Sequence, residues 1–175
     1  PDATAEVFTE DGWFRTGDQA DLSDAGRIRI KGRIKEIIVT STGEKIPPTD
    51  MELAIQTDPL FEQVMVVGEA RPFITALAVV NEAEWEKFAK EFNVDPSDDR
   101  MLMRRDIRMA ALKRLKKAAS RFPQYGIPRN IRLLKEHWTV DNGCLTVTMK
   151  LRRPIIRVNI RAATDEIYTV PQNNV

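Results

Sequence analysis

The sequence predicts an α+β fold: a small, mostly antiparallel sheet flanked by helices, with a β-hairpin ahead of it. Three observations carry that prediction. Residues 61–68 and 73–80 are apolar, β-branched runs joined by Glu69-Ala70-Arg71-Pro72, the pattern of an antiparallel hairpin in a central sheet. Residues 82–92 and 97–122 repeat apolar positions every three or four residues, as amphipathic helices do. Arg27-Ile28-Arg29-Ile30-Lys31 alternates strictly, which gives a strand one wet and one apolar face.

The elements follow in order. The chain opens at Pro1, without an initiator Met, in a polar run with neither helix nor strand pattern. It is expected to be a piece cut from a longer protein whose upstream part holds half of an active site. Residues 16–22 and 27–31 form the early hairpin around Ser23-Asp24-Ala25-Gly26, and residues 36–40 a third short strand. Pro47-Pro48 opens a helix, since proline fits the first turn where no N–H is needed, and Met51, Leu53 and Ile55 supply its apolar positions up to Asp58-Pro59. Trp85, Phe88 and Phe92 share one side of the next helix. Ser97-Asp98-Asp99 caps a long helix reaching Phe122, with a core stripe of Leu102, Leu112, Leu115 and Ala119. Residues 131–134 form a strand, Asp141-Asn142-Gly143 a tight turn, and residues 151–168 a last helix with Pro154 in its first turns.

Composition narrows the function classes. With 42% hydrophobic residues in 175, the chain fills one good core, or a small domain plus a flanking piece of another. A net charge of +1 gives no overall drive toward nucleic acid. The one cysteine, Cys144, forms no internal disulfide, no Cys/His cluster has metal-ligand spacing, and a reducing compartment fits best. No apolar stretch approaches the roughly 20 residues that cross a bilayer.

Three polar segments stand out: Asp11-Gly12-Trp13-Phe14-Arg15-Thr16-Gly17-Asp18, then Gly32-Arg33-Ile34-Lys35-Glu36-Ile37-Ile38 with Gly43-Glu44-Lys45-Ile46 after it, and Leu145-Thr146-Val147-Thr148-Met149-Lys150-Leu151-Arg152-Arg153. Asp18, after Gly17 at a strand start, is able to accept hydrogen bonds from two vicinal hydroxyls, as ribose offers; on its own it equally suits a turn aspartate capping local N–H groups. The Arg33 guanidinium is a planar fork suited to a ribose oxygen or phosphate, and across one hairpin it can share a pocket with Asp18.

In this order and at these separations the segments resemble the carboxy-terminal part of the adenylate-forming acyl-CoA synthetases, most closely the long-chain fatty acid CoA ligases. The resemblance covers about Glu10 to Arg153 and is thin through the helical stretch. It implies a ligase joining a long-chain fatty acid to CoA through acyl-AMP, with ATP, CoA and Mg²⁺ bound mainly by an absent amino-terminal domain. It places residues 1–34 at the end of that domain and residues 35–175 in a mobile lid. It implies that Asp18 and Arg33 hold the nucleotide, that Lys35 is the hinge, that Gly43, Glu44 and Lys45 lie on the loop lining the CoA tunnel, and that Lys150 is the catalytic lysine. An ammonium on a long stem suits that last role, because charge builds on the α-phosphate in the adenylation step. The family's common motif has Gly before this lysine where this chain has Met149, and its long-chain members often have Pro where this chain has Val147.

The expected partners are fatty acid, ATP, CoA and the chain's own amino-terminal domain, in the cytoplasm, with peripheral contact at the inner membrane face left open. Nucleic acid is not expected. Two alternatives remain: a lid acting on aryl or amino acids, and a non-catalytic module binding anionic lipid or nucleic acid. The latter would use a helix carrying Arg100, Arg104, Arg105, Arg108, Lys113, Arg114, Lys116, Lys117 and Arg121 against Asp106. His137 has no partner nearby in sequence and reads as structural, with Trp138 a core or interface aromatic.

Overall fold

A computed structural model describes residues 2–22, 26–160 and 168. Contrary to expectation, the first residues are helical, in a single short helix α1 (Asp2–Val7). The early hairpin is β1 (Asp18–Leu22) paired antiparallel with β2 (Ile28–Arg33), with a bulge at Gln19/Ala20; most of its expected turn, residues 23–25, lies outside the described residues. A single 3-10 turn, Ile34–Glu36, replaces the first part of the expected third strand, which shrinks to β3 (Ile38–Val39) and pairs with β4 (Lys45–Ile46). Helix α2 (Thr49–Ile55) follows Pro48, as proposed for the proline pair.

The central sheet has the order β5-β6-β7: β5 (Phe61–Val67) and β6 (Thr75–Val80) form the expected antiparallel hairpin. Strand β7 (Asn130–Leu134) joins β6 in parallel. Between them run α3 (Glu82–Glu91), capped by the Asn81 side chain, and α4 (Arg105–Ala118). The long helix expected from Ser97 to Phe122 is thereby corrected. Its start is a 3-10 segment, Asp99–Met103, whose cap is Asp98; Arg104, extended at ψ 134°, breaks the run, and α4 ends before Phe122. Ser97 instead bonds back to Asp95. Helix α5 (Arg153–Asn159) starts with Pro154 in its first turn, and most of its expected extension to Tyr168 lies outside the described residues.

Every residue of β6 is buried, because the sheet is covered on both faces. Val64, Val66, Ala76, Ala78, Ile131 and Leu133 face Met51, Ile55, Trp85, Phe88, Ile107 and Leu115. The opposite residues Met65, Leu77 and Val79 face Trp138, Cys144, Leu145 and Ile156. Burial of each large side chain contributes about 1.5–3 kcal/mol. Leu53 proves 59% exposed: a helix turns ~100° per residue, so it falls opposite Met51 and Ile55. Glu52 takes a buried place instead.

Candidate nucleotide and lysine site

The hairpin brings Asp18 and Arg33 together. They are register partners, and Arg33 Nε lies 3.1 Å from Asp18 Oδ1. Arg33 Nη1 also donates to the Thr16 carbonyl at 3.1 Å, and Ile34 N–H to the Gly17 carbonyl at 2.8 Å, so the strand ends are locked where the pair sits. Gly17 adopts φ 74°, a left-handed conformation that lets Thr16 turn its hydroxyl onto the Asp18 N–H. The pair stays partly exposed. One guanidinium edge fills only part of a carboxylate's acceptor capacity, which leaves Asp18 able to take further donors.

Lys35 is exposed in the 3-10 turn just beyond Arg33. The Gly43 loop follows β3. Gly43 sits at φ 88° and donates its N–H to the Thr40 carbonyl. Glu44 braces the loop from inside: its Oε2 accepts from the Thr40 hydroxyl at 3.0 Å and the Thr42 hydroxyl at 2.5 Å. Those hydroxyls, Thr42 foremost, hold the Glu44 carboxyl below its ordinary pKa. Lys45 opens onto a cleft of about 530 Å³ between β2 and the following elements, where Arg29 and Arg121 outnumber Asp50.

Lys150 lies on the loop between Cys144 and α5. Leu145 and Leu151 pair across its base, Thr146 N–H donates to the Lys150 carbonyl at 2.9 Å, and Lys150 N–H donates to Thr146 Oγ1 at 3.1 Å. The backbone is thus fixed while the side chain is exposed, with no ion pair among the described residues. No hydrogen bond or ion pair among them joins Lys150 to the Asp18–Arg33 pair.

The sequence reading missed a third feature. Arg153, at the start of α5, places Nη1 2.7 Å from Glu52 Oε1 and Nη2 2.6 Å from Glu52 Oε2. Both side chains are nearly buried, and Arg153 Nε lies 3.7 Å from Glu36. Burial works against the guanidinium charge, but the Glu52 bonds and charge outweigh it and raise the Arg153 pKa. The signal available was a glutamate on the apolar face of α2.

The basic helix is less basic than its sequence. Arg100 pairs with Asp98, Arg104 with Asp106, Arg114 with Asp58, and Arg108 bonds Asn130. His137 Nε2 meets Glu62 at 3.2 Å, and Trp138 is buried, its N–H and carbonyl both bonded to Gln63. Among the described residues no group of three or more His, Cys, Asp or Glu stands together.

Known proteins show the family of this chain. The family model for the AMP-binding enzyme C-terminal domain matches residues 35–123, just over half of the chain. A long-chain-fatty-acid–CoA ligase of Mycobacterium tuberculosis, FadD15, is 34% identical over 95% of this chain and 28% of its own length. A human long-chain-fatty-acid–CoA ligase 1 is 32% identical over 97% of this chain and 25% of its own length. Among solved structures, the adenylation domain of a Mycobacterium chelonae carboxylate reductase superposes with a TM-score of 0.83 over 97% of this chain and 25% of that one, at 24% identity, a likeness of fold. The chain belongs to the AMP-binding enzyme C-terminal domain family. It spans about a quarter of the length of these relatives.

Proposed function

We propose that this chain carries the moving lid of an ATP-dependent ligase that joins a long-chain fatty acid to CoA through acyl-AMP. Residues 1–34 close the large amino-terminal domain, and residues 35–175 form the lid. The observation that carries this reading is the Lys150 ammonium, presented to solvent without a counter-ion among the described residues, on a loop whose backbone is pinned. The family match beginning at residue 35 supports the division.

In the first step a carboxylate oxygen bonds to the α-phosphorus of ATP and the bond to pyrophosphate breaks. Charge builds on the phosphoryl oxygens, and Lys150 meets it. Asp18, oriented by Arg33, accepts the ribose hydroxyls. In the second step rotation about Lys35 withdraws Lys150 and brings in the Gly43 loop, stiffened by Glu44, with Lys45 beside it. The CoA sulfur then bonds to the acyl carbon, and AMP leaves. CoA, ATP and Mg²⁺ contacts beyond these residues fall to the upstream domain. A cytoplasmic setting belongs to the same proposal; no helix among the described residues is long and apolar enough to cross a membrane.

In the full-length enzyme, Lys150→Ala is expected to slow acyl-AMP formation about 10²- to 10³-fold. Thioester formation from supplied acyl-AMP is spared. Equal loss of both half-reactions would refute this division of labour. A second reading, an acid other than a fatty acid, draws on the carboxylate reductase likeness. Exchange of labelled pyrophosphate into ATP across a panel of fatty, aryl and amino acids separates the two.

A further inference from the structure

The Arg153–Glu52 pair occupies a position that neither a core salt bridge nor a surface one explains. Glu52 belongs to α2, three residues into the helix that follows the Gly43 loop. Arg153 begins the helix that follows the Lys150 loop. Glu36 ends the 3-10 turn that contains Lys35. One guanidinium, itself behind the Lys150 loop, therefore reaches a carboxylate behind the Gly43 loop and another beside the pivot. Glu52 has a further tie: its Oε1 accepts the Val66 N–H at 2.7 Å, on the open side of edge strand β5, so the cluster is bonded to the central sheet as well. Breaking a buried pair of this kind is costly, while a well-packed apolar replacement often is not. Stability alone therefore does not require arginine, whereas simultaneous geometry toward two carboxylates does, since lysine has no planar fork.

We propose that Arg153 is a positioning residue that fastens the Lys150 loop, the Gly43 loop and the lid side of the pivot into one rigid body, so that a turn at Lys35 delivers either loop in register. This rests on the two-orientation reading above. A looser body places each reacting group less well in its own orientation, and misplacement by about 1 Å costs up to about 10²-fold. Because substrates bind mainly upstream, the loss falls on kcat and leaves KM in place.

The test uses the full-length enzyme with Arg153→Lys and Glu36→Gln, the second at a partly exposed carboxylate whose loss leaves the Glu52 bonds intact. Both half-reactions are measured per nucleotide-binding site, with thermal unfolding in parallel. Arg153→Lys is expected to lower kcat of both half-reactions about tenfold, with KM for ATP and acid within about twofold. Glu36→Gln is expected to lower both by a smaller factor at unchanged unfolding temperature. If Arg153→Lys does not fold, Glu36→Gln carries the test. Wild-type kcat in both variants overturns the proposal. So does loss of one half-reaction alone, or loss that disappears once rates are counted per folded site. Lys150→Ala, run alongside, separates the outcomes: if it spares adenylation the lid reading fails, and if it behaves as expected while both clamp variants run at wild-type rates, only the clamp fails.

Discussion

Met149 adopts φ 60°, in the left-handed region where a side chain with a β-carbon is strained. This is the position where the common form of the lysine motif has glycine, so the departure seen in the sequence is a substitution into a backbone shape that favours glycine. The strain persists because the Met149 N–H and the Thr146 carbonyl are bonded at 2.8 Å and the loop base is closed on both sides. The methionine side chain is 68% exposed and contributes little packing. Met149→Gly is therefore expected to leave the lid unchanged or more stable by up to about 1 kcal/mol in denaturant titration, relief of strain being partly offset by glycine's freedom in the unfolded chain. A loss of more than about 1 kcal/mol would show that the methionine itself holds the loop. The polar motifs around Asp18, Arg33 and Lys150 were legible because each lies within a few consecutive residues. Glu52–Arg153 was not, because its partners are 101 residues apart and their meeting depends on how α2 and α5 pack.

Between elements, the same lesson applies to helix α4. A sequence window sees a row of cations, whereas the fold brings Asp58, at the end of the α2 segment, against Arg114 with contacts of 2.9 and 2.6 Å. Burial pushes the Asp58 carboxyl up, but the Arg114 bond and the Leu60 N–H outweigh it and hold its pKa below the ordinary value. A folded carboxyl that is more acidic than its unfolded form contributes stability above the unfolded pKa, about 3.9, and loses it as pH falls through the folded one. Asp58→Asn is expected to cost about 1–2 kcal/mol near neutrality and to flatten the acid limb of stability below about pH 4. Chemical unfolding at a series of pH values checks both; a parallel acid limb in the variant would discount the pair. The helix break was illegible for a related reason. The 97–122 pattern counts apolar spacing correctly, and Leu102, Leu112, Leu115 and Ala119 are all buried, yet spacing does not register that Arg104 turns extended between two helical segments.

At the scale of the whole molecule, all the buried apolar side chains among the described residues lie at Ile38 or beyond. The early hairpin was legible from its alternation, but the apolar face that alternation implies is not covered in this chain: Leu22 is 78% exposed, Ile28 68%, Ile30 58% and Ile34 58%, with Trp13 and Phe14 exposed nearby. Such a face is what remains when a strand pair is separated from the body it packs on, in keeping with the proposal that residues 1–34 belong to the upstream domain. The fold and the proposed division then make one joint prediction. A protein starting at residue 35 should unfold cooperatively within about 3 °C of the 175-residue chain, because 1 kcal/mol shifts a domain of this size by roughly 2–4 °C and the hairpin supplies little of the core. Changing Leu22, Ile28 and Ile30 together to Ser should leave the unfolding temperature of the 175-residue chain equally undisturbed, while lowering that of the full-length enzyme, where those side chains are covered. Calorimetry on the three pairs decides it: a collapse of the shortened protein would make the hairpin part of the lid, and an unaffected full-length enzyme would mean that its apolar face meets nothing upstream.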